Sequence, residues 1–420
     1  MKRILISISF LFYSVFALSQ DLVYMRYIID NLTSKAMSGR AYTNKGAKKA
    51  SKFIADEFGK LQLSRFNNSY FQDLSYPTSD FIKTPKVIID GKKLDPASEF
   101  IITRSSGSAK GNFTIVPFLN DPLVHNDAFQ EILALGDKTK VLLTDRFHSN
   151  LINKDFEPYA GTIIISKNNR LSWAMSDARE LKDNFTIYVT KDAIDTSAKK
   201  LYVDIKNKEI KEFNTRNVIG FIPGRSENAN YLMIGAHYDH IGGFGKEIHM
   251  PGANDNSTGI ATLLAIAKYL KEEKINLEHH LLIIAFTGEE AGLIGSKYFA
   301  DNPPIPLDKI DFFINFDMVG GGSDGITIVQ GKVFPEETEI LKALNEKNNY
   351  FPKVVVKDVS YNSDHAPLYA KNVPSVFIHT QGSGLVEYHN IYDLPNENIL
   401  DRSSEFVRLM VEFLQELDKK

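Results

Sequence analysis

The chain has 420 residues and no cysteine. That excludes disulfides, thiolate metal ligands and a lipid-anchored cysteine, so any metal must be held by His, Asp and Glu. Tryptophan is nearly absent as well, with Trp173 the only one. A dominant charge is also missing. The 49 Lys and Arg nearly balance 52 Asp and Glu, leaving −3, and no basic arm or stripe appears. This argues against a nucleic-acid partner. No apolar run beyond the first residues is long enough to span a membrane, and no repeat or low-complexity tract stands out. What is present is ordinary for a folded protein: 43% hydrophobic and 24% charged residues, ample for a core. The length fits two domains, or one large domain with an insertion.

The first residues, "MKRILISISFLFYSVFALSQD", join a basic start to an apolar stretch and to small residues at Ala17 and Ser19. They predict a secretory signal over residues 1–19, cut after Ser19. The expected destination is periplasmic or secreted, with no membrane span once the signal is removed.

Three textures follow. Residues 20–95 form an N-terminal part that reads as mainly helical, with Ala50, Phe53, Ile54, Phe58 and Leu61 at helical spacing. Residues 96–210 are a β-rich module of short runs such as "FTIVPF", "VLLT" and "GTIIIS". Residues 211–420 alternate strand and helix patterns, which implies an α/β fold with a mostly parallel sheet covered on both faces.

Polar residues gather where those strands end. "LLIIAFTGEEAG" places Glu289 and Glu290 after an unbroken apolar run, and "LMIGAHYDH" places His237 and Asp239 past another. "PGANDNSTG" puts Asp255 in a turn before a helix, "INFDMVGGG" puts Asp317 at a third strand end, and "VEYHNIYD" supplies His389. In open α/β sheets, ligands bind outside the carboxyl ends of the strands. Five carboxylates and two imidazoles converging there carry a charge excess that needs neutralising cations. Nitrogen and carboxylate donors without thiolates suit zinc, with cobalt or manganese as alternatives. The count of roles gives two metals, one bridging aspartate, and one histidine plus one further carboxylate for each ion.

The ordered motifs "GAHYDH", "GANDNSTG", "AFTGEEAGLIGS", "INFDMVG", "SDHAPL" and "EYHNIYD" resemble those of the M28 zinc aminopeptidases, as does "MSGRAYTNKGAKKASKFIADEF" near the start. The resemblance implies a three-layer α/β/α, phosphorylase/hydrolase-like fold, with 96–210 as a protease-associated-like insert and 211–420 as the catalytic domain. It implies two Zn²⁺ per chain, one held by His237 and Asp317, the other by Glu290 and His389, with Asp255 bridging. It makes Glu289 the general base. Asp239 would hydrogen-bond the far nitrogen of His237, and the Asp255–Asn256 peptide would be cis. The expected substrates are peptides with a free N-terminus.

His365 in "SDH" and Tyr361 are candidate substrate contacts. His240 and His249 read as loop surface groups, and His279 and His280 precede their strand at the wrong end for the crevice. Asp393 either orients its loop or caps a turn. A single-zinc glutaminyl cyclase-like enzyme is the alternative, although such relatives rely on tryptophans and Trp173 lies in the insert. A related dipeptidase or carboxypeptidase, or a binding protein that kept the fold, are further readings. The preferred N-terminal side chain and the oligomeric state are not legible.

Overall fold

The run Leu281–Phe286 lies in a strand buried along its whole length. In the computed structural model, which describes residues 21–119, 134, 136–145, 158–175 and 180–420, its side chains alternate between two cores. Leu281, Ile283 and Ala285 enter one core, and Leu282, Ile284 and Phe286 enter the other. A strand with apolar packing on both faces has no reason to alternate polar and apolar residues, which is why the run is unbroken.

This strand belongs to an eight-stranded sheet made of β1 (Phe71–Phe81), β2 (Asn207–Ile222), β3 (Tyr231–His237), β4 (His280–Phe286), β5 (Ile310–Phe316), β6 (Gly325–Val329), β7 (Val354–Val356) and β8 (Ser375–Gln381). The spatial order is β1-β2-β4-β3-β5-β8-β6-β7. The central strands β4, β3, β5 and β8 are parallel, while β1 and β2 form an antiparallel edge and β6 runs against β8. Helices 21–33, Gly46–Lys60, Thr258–Glu272, Pro335–Asn348 and Ser403–Leu417 pack on one face. Two short helices, Ile294–Asp301 and His365–Tyr369, contribute Phe299 and Leu368 to the other face. The architecture is the expected three-layer α/β/α. The closing helix fits its sequence pattern, burying Phe406, Leu409, Met410, Phe413, Leu414 and Leu417 at spacings of three and four.

A second eight-stranded sheet occupies the chain between Lys86 and Ile205. Its core holds Trp173, Phe100 and Val203, and it also takes in Phe81, Ile241, Phe244, Met250 and Ala291 from outside the module. The module therefore shares its interior with the loops that follow β3 and β4. The chain enters and leaves it through one antiparallel ribbon, β1 against β2, paired from Phe71↔Val218 to Phe81↔Asn207.

The element boundaries differ from the sequence reading in two places. Within 20–95, helix covers mainly 21–33 and Gly46–Lys60. Phe71–Phe81 and Lys86–Ile89 are strands, with Leu74 and Tyr76 buried between exposed neighbours as strand periodicity requires. The boundary read between 210 and 211 falls inside the long strand β2. Residues 1–19 lie outside the described residues. Among the described residues, no helix is long and apolar enough to cross a membrane.

Candidate metal centre

Three neighbouring parallel strands end side by side and carry the polar residues. His237 is the last residue of β3, Asp317 follows β5, and Glu289 and Glu290 follow β4 after the turn at Thr287-Gly288. Asp255 comes from the turn before helix Thr258–Glu272, and His389 from the loop after β8. The Asp255–Asn256 peptide is cis.

The two oxygens of Asp255 face different histidines. Oδ1 lies 3.3 Å from His237 Nε2, and Oδ2 lies 3.1 Å from His389 Nε2. His237 Nε2 is also 3.3 Å from Asp317 Oδ1, and His389 Nε2 is 2.9 Å from Glu290 Oε2. His389 Nε2 nevertheless has no partner in hydrogen-bond geometry, although it is buried. A buried imidazole nitrogen this close to two carboxylates is placed where it could share a cation with them. Donor atoms within 4.8 Å of one another form two groups: His237, Glu289 and Asp317, and His240, Asp255, Glu290 and His389. The residues present thus fit two divalent cations with nitrogen and oxygen ligands.

The electrostatics point the same way. Burial and the nearby Asp317 and Asp364 hold the Glu289 carboxyl well above its ordinary range, against the pull of His237. Burial also lifts Asp239 and Asp364, each to about 7. Burial opposes charge on Glu290 too, but His389 and the hydrogen bond with His240 bring it down to about 2. His389 is raised to about 11, with Glu290 and Asp255 outweighing burial. Opposite shifts on adjacent carboxyls separate the two glutamates: Glu290 is held ionised, whereas Glu289 favours a proton.

Asp239 differs from its expected role. His237 Nδ1 lies 3.1 Å from the Asp239 backbone carbonyl, while the Asp239 carboxylate stands 3.8 Å away and accepts instead from the Glu289 backbone N–H. The turn from Tyr238 to Asp239 brings the carbonyl under the ring first. His365 is fully buried, with Nε2 2.9 Å from the Ser360 carbonyl and its ring against Phe377, so it belongs to a wall and is not open to substrate. Tyr361 is 63% exposed and packs beside Tyr369. Among the described residues, no hydrogen bond or ion pair joins it to the cluster.

Three residues of the centre were not placed there from the sequence: His240, Arg40 and Ser363. His240 is fully buried, with Nδ1 2.7 Å from Glu290 Oε1. Its apolar sequel, Ile241 and Phe244, was the available signal that this loop turns inward. Arg40, also fully buried, donates to the carbonyls of Tyr238, Pro251, Gly252 and Asp255, clamping both loops from beneath. Gly252 makes room for it. It adopts φ +61°, and a Cβ there would fall 2.5 Å from the guanidinium. Ser363 donates to Asp317 Oδ2 at 2.6 Å and accepts from Asn315. Asp393, whose role was open, orients a loop: its oxygens accept from the backbone N–H groups of Asn254 and Asp255. His279 is held by Asp311 and Asp418 at the amino end of β4, as its position implied.

Comparison with known proteins follows the same outline. Residues 217–414 match the sequence model of peptidase family M28. Leucine aminopeptidase 1 of Arthroderma gypseum is 29% identical over 226 residues, which is 49% of this chain and 59% of that protein. Leupeptin-inactivating enzyme 1 of Streptomyces exfoliatus is 31% identical over 163 residues, 38% of this chain and 34% of that protein. The alignments thus span from a third to three-fifths of these curated relatives. Among solved structures, a zinc aminopeptidase from Bacillus subtilis superposes with a TM-score of 0.69 at 19% identity, covering 94% of both chains. A peptidase M28 precursor from Shewanella amazonensis gives 0.68 at 16% identity, covering 96% of this chain and 97% of its own. At such identities the likeness is one of fold.

Proposed function

We propose that this chain, whose residues 217–414 match the model of peptidase family M28, is a di-zinc aminopeptidase of that family that acts outside the cytoplasm after residues 1–19 are removed. The observation that carries the reading is the division of Asp255, with one oxygen toward His237 and the other toward His389. His237 and Asp317 would hold one zinc, and Glu290 and His389 the other, with Asp255 shared. Bound there, the ions would activate a water and polarise the scissile carbonyl.

The protein's own part is positioning and proton transfer. Glu289 stands beside His237 and Asp317, where burial and the neighbouring carboxyls raise its affinity for a proton. Its carboxylate form, which cations bound beside it would favour, would take the proton given up by the attacking water and pass it to the leaving amine. Arg40 and Asp393 hold the Asp255 turn in place through its backbone, and Ser363 aims Asp317.

The names of the curated relatives make leucine the first N-terminal residue to test. A panel of free and N-acetylated peptides, read by mass spectrometry, should show stepwise loss of N-terminal residues from free peptides alone. Cutting within acetylated peptides would overturn the exopeptidase reading, and loss of ammonia from N-terminal glutamine would favour the cyclase. The Trp173 ring is buried against Phe81 and Phe244, with its indole N–H on the Ile102 carbonyl, so it serves the core of the insert and gives the cyclase reading no tryptophan wall.

A further inference from the structure

The loop that carries His389 is held by the insert as well as by the catalytic half. Three consecutive turns of contact make the connection. The Trp173 backbone N–H donates to the His389 carbonyl at 2.9 Å. Ser172 Oγ donates to the Tyr388 carbonyl at 3.0 Å. The Arg170 guanidinium pairs with Glu387 at 3.3 Å and lies over the Tyr392 ring, 4.0 Å from its centre. Trp173 is itself anchored, with its indole N–H on the Ile102 carbonyl at 2.7 Å and its ring against Phe244.

We propose that the segment Arg170–Trp173 is a positioning element for one of the two metal ions, setting the place of His389 from the far side of the loop. His389 needs such support. Its backbone sits at φ 55°, which a non-glycine residue adopts reluctantly, and no strand or helix carries it. His237, in contrast, ends a central strand paired on both sides. Beyond His389 the same loop reaches Asp393, which fixes the backbone of Asn254 and Asp255. The insert therefore reaches the metal centre through one histidine directly and through the shared aspartate indirectly. The effect falls mainly on the His389 ion, because Asp255 is separately clamped by Arg40.

This inference rests on the two-ion reading, and the experiment separates the two. The full chain is stripped with chelator and titrated with Co²⁺ alone, by calorimetry and visible absorption. Three versions are compared: wild type, Arg170→Ala with Ser172→Ala, and Arg170→Lys. Their unfolding temperatures are measured in the stripped state. Both altered side chains are solvent-exposed, so the stripped proteins should unfold alike. The double variant should bind one ion about 10–100-fold more weakly, the range typical for loss of groups that orient a ligand, with the other ion unchanged. Arg170→Lys keeps the pairing with Glu387 and should fall between. In a His389→Ala background, the double substitution should change nothing further for the remaining ion. Two unchanged affinities in the double variant would overturn the inference, as would an equal loss at both ions or a matching fall in stripped-state stability. A wild type that saturates with one ion would overturn the two-ion reading and this inference with it.

Discussion

Two histidines face the same aspartate from opposite sides, yet they rest on different foundations. His237 ends β3, a strand flanked by β4 and β5, and its Nδ1 is fixed by a carbonyl two residues on. Its partner Asp317 follows β5 and is held by Ser363, itself braced by Asn315. His389 lies in a loop whose supports are the insert on one side and Glu290 on the other, with His240 behind Glu290. One half of the centre is thus made by the sheet, and the other by long-range contacts between loops. The first should tolerate damage at the surface. The second should register it.

The harshest way to break the comparison is to remove what the halves share. Asp255→Ala should abolish peptide hydrolysis to the assay background and leave fewer than two ions by elemental analysis, because neither half keeps a full ligand set. Glu289→Gln comes next. It should cost ~10²–10⁴ in rate while both ions remain bound. Glu290→Gln should lose the loop-held ion and recover in part with excess metal. Should Glu289→Gln be the variant that sheds metal, the two glutamates have been given each other's roles.

A milder test sharpens the contrast. Ser363→Ala removes the hydrogen bond that aims Asp317 and should weaken the sheet-held ion by ~10–100-fold, leaving the loop-held ion alone. This is the mirror image of the expected effect at Arg170 and Ser172. Cobalt titration of the stripped protein reads both.

The gentlest probe is pH. His389 is raised to about 11 by Glu290 and Asp255 against burial, and His237 is raised well above its ordinary value by Asp317 and Glu289. Both are protonated near neutrality when no ion is bound, so loading must displace protons, on the order of one per histidine. Affinity should rise between about pH 6 and about pH 8, with calorimetric heats that depend on the buffer. The stripped protein should show the opposite trend. The contribution of His389 is complete below its ordinary 6.5 and is lost as pH climbs toward about 11. That of Glu290 is complete above 4.5 and is lost as pH falls toward about 2. The raised Asp239 and Asp364 carboxyls lose theirs earlier, as pH climbs from their ordinary 3.8 toward about 7. The unfolding temperature of the stripped chain should therefore be highest at about pH 4.5 and fall from there toward neutrality.

The sheet-made half was the legible one. Apolar runs ending in His237 and before Asp317 announce strands and their carboxyl ends, because strand periodicity and ligand placement are local rules; Glu290, which pairs with His389, was legible by the same rule. His389 and Asp255 were singled out by position as well, but their metal roles came from motif resemblance. The supports escaped for a common reason: Arg40, Ser363 and Arg170–Trp173 act across long stretches of chain, and nothing local marks them. His240 was misjudged because loop histidines usually face solvent, whereas this loop is drawn inward by Ile241 and Phe244. Asp239 was found but with the wrong atom, since choosing between a carboxylate and its own carbonyl needs the turn geometry. Tyr361 was placed at the site by motif offset alone, and its side chain stands in solvent.

The ribbon of β1 and β2 has a consequence for how this chain could be cut and rejoined. Phe81 and Asn207 face each other at its far end, so a tight turn in place of 82–206 would close an ordinary hairpin without disturbing the catalytic sheet. By connectivity alone the module is detachable. By surface it is not, because Ile241, Phe244, Met250 and Ala291 would be stripped of cover, and with them the loops that follow the metal-bearing strands. A shortened chain would need polar replacements at those four positions before it could stay in solution. Two strands connect the module, but the neighbouring loops hold it in place.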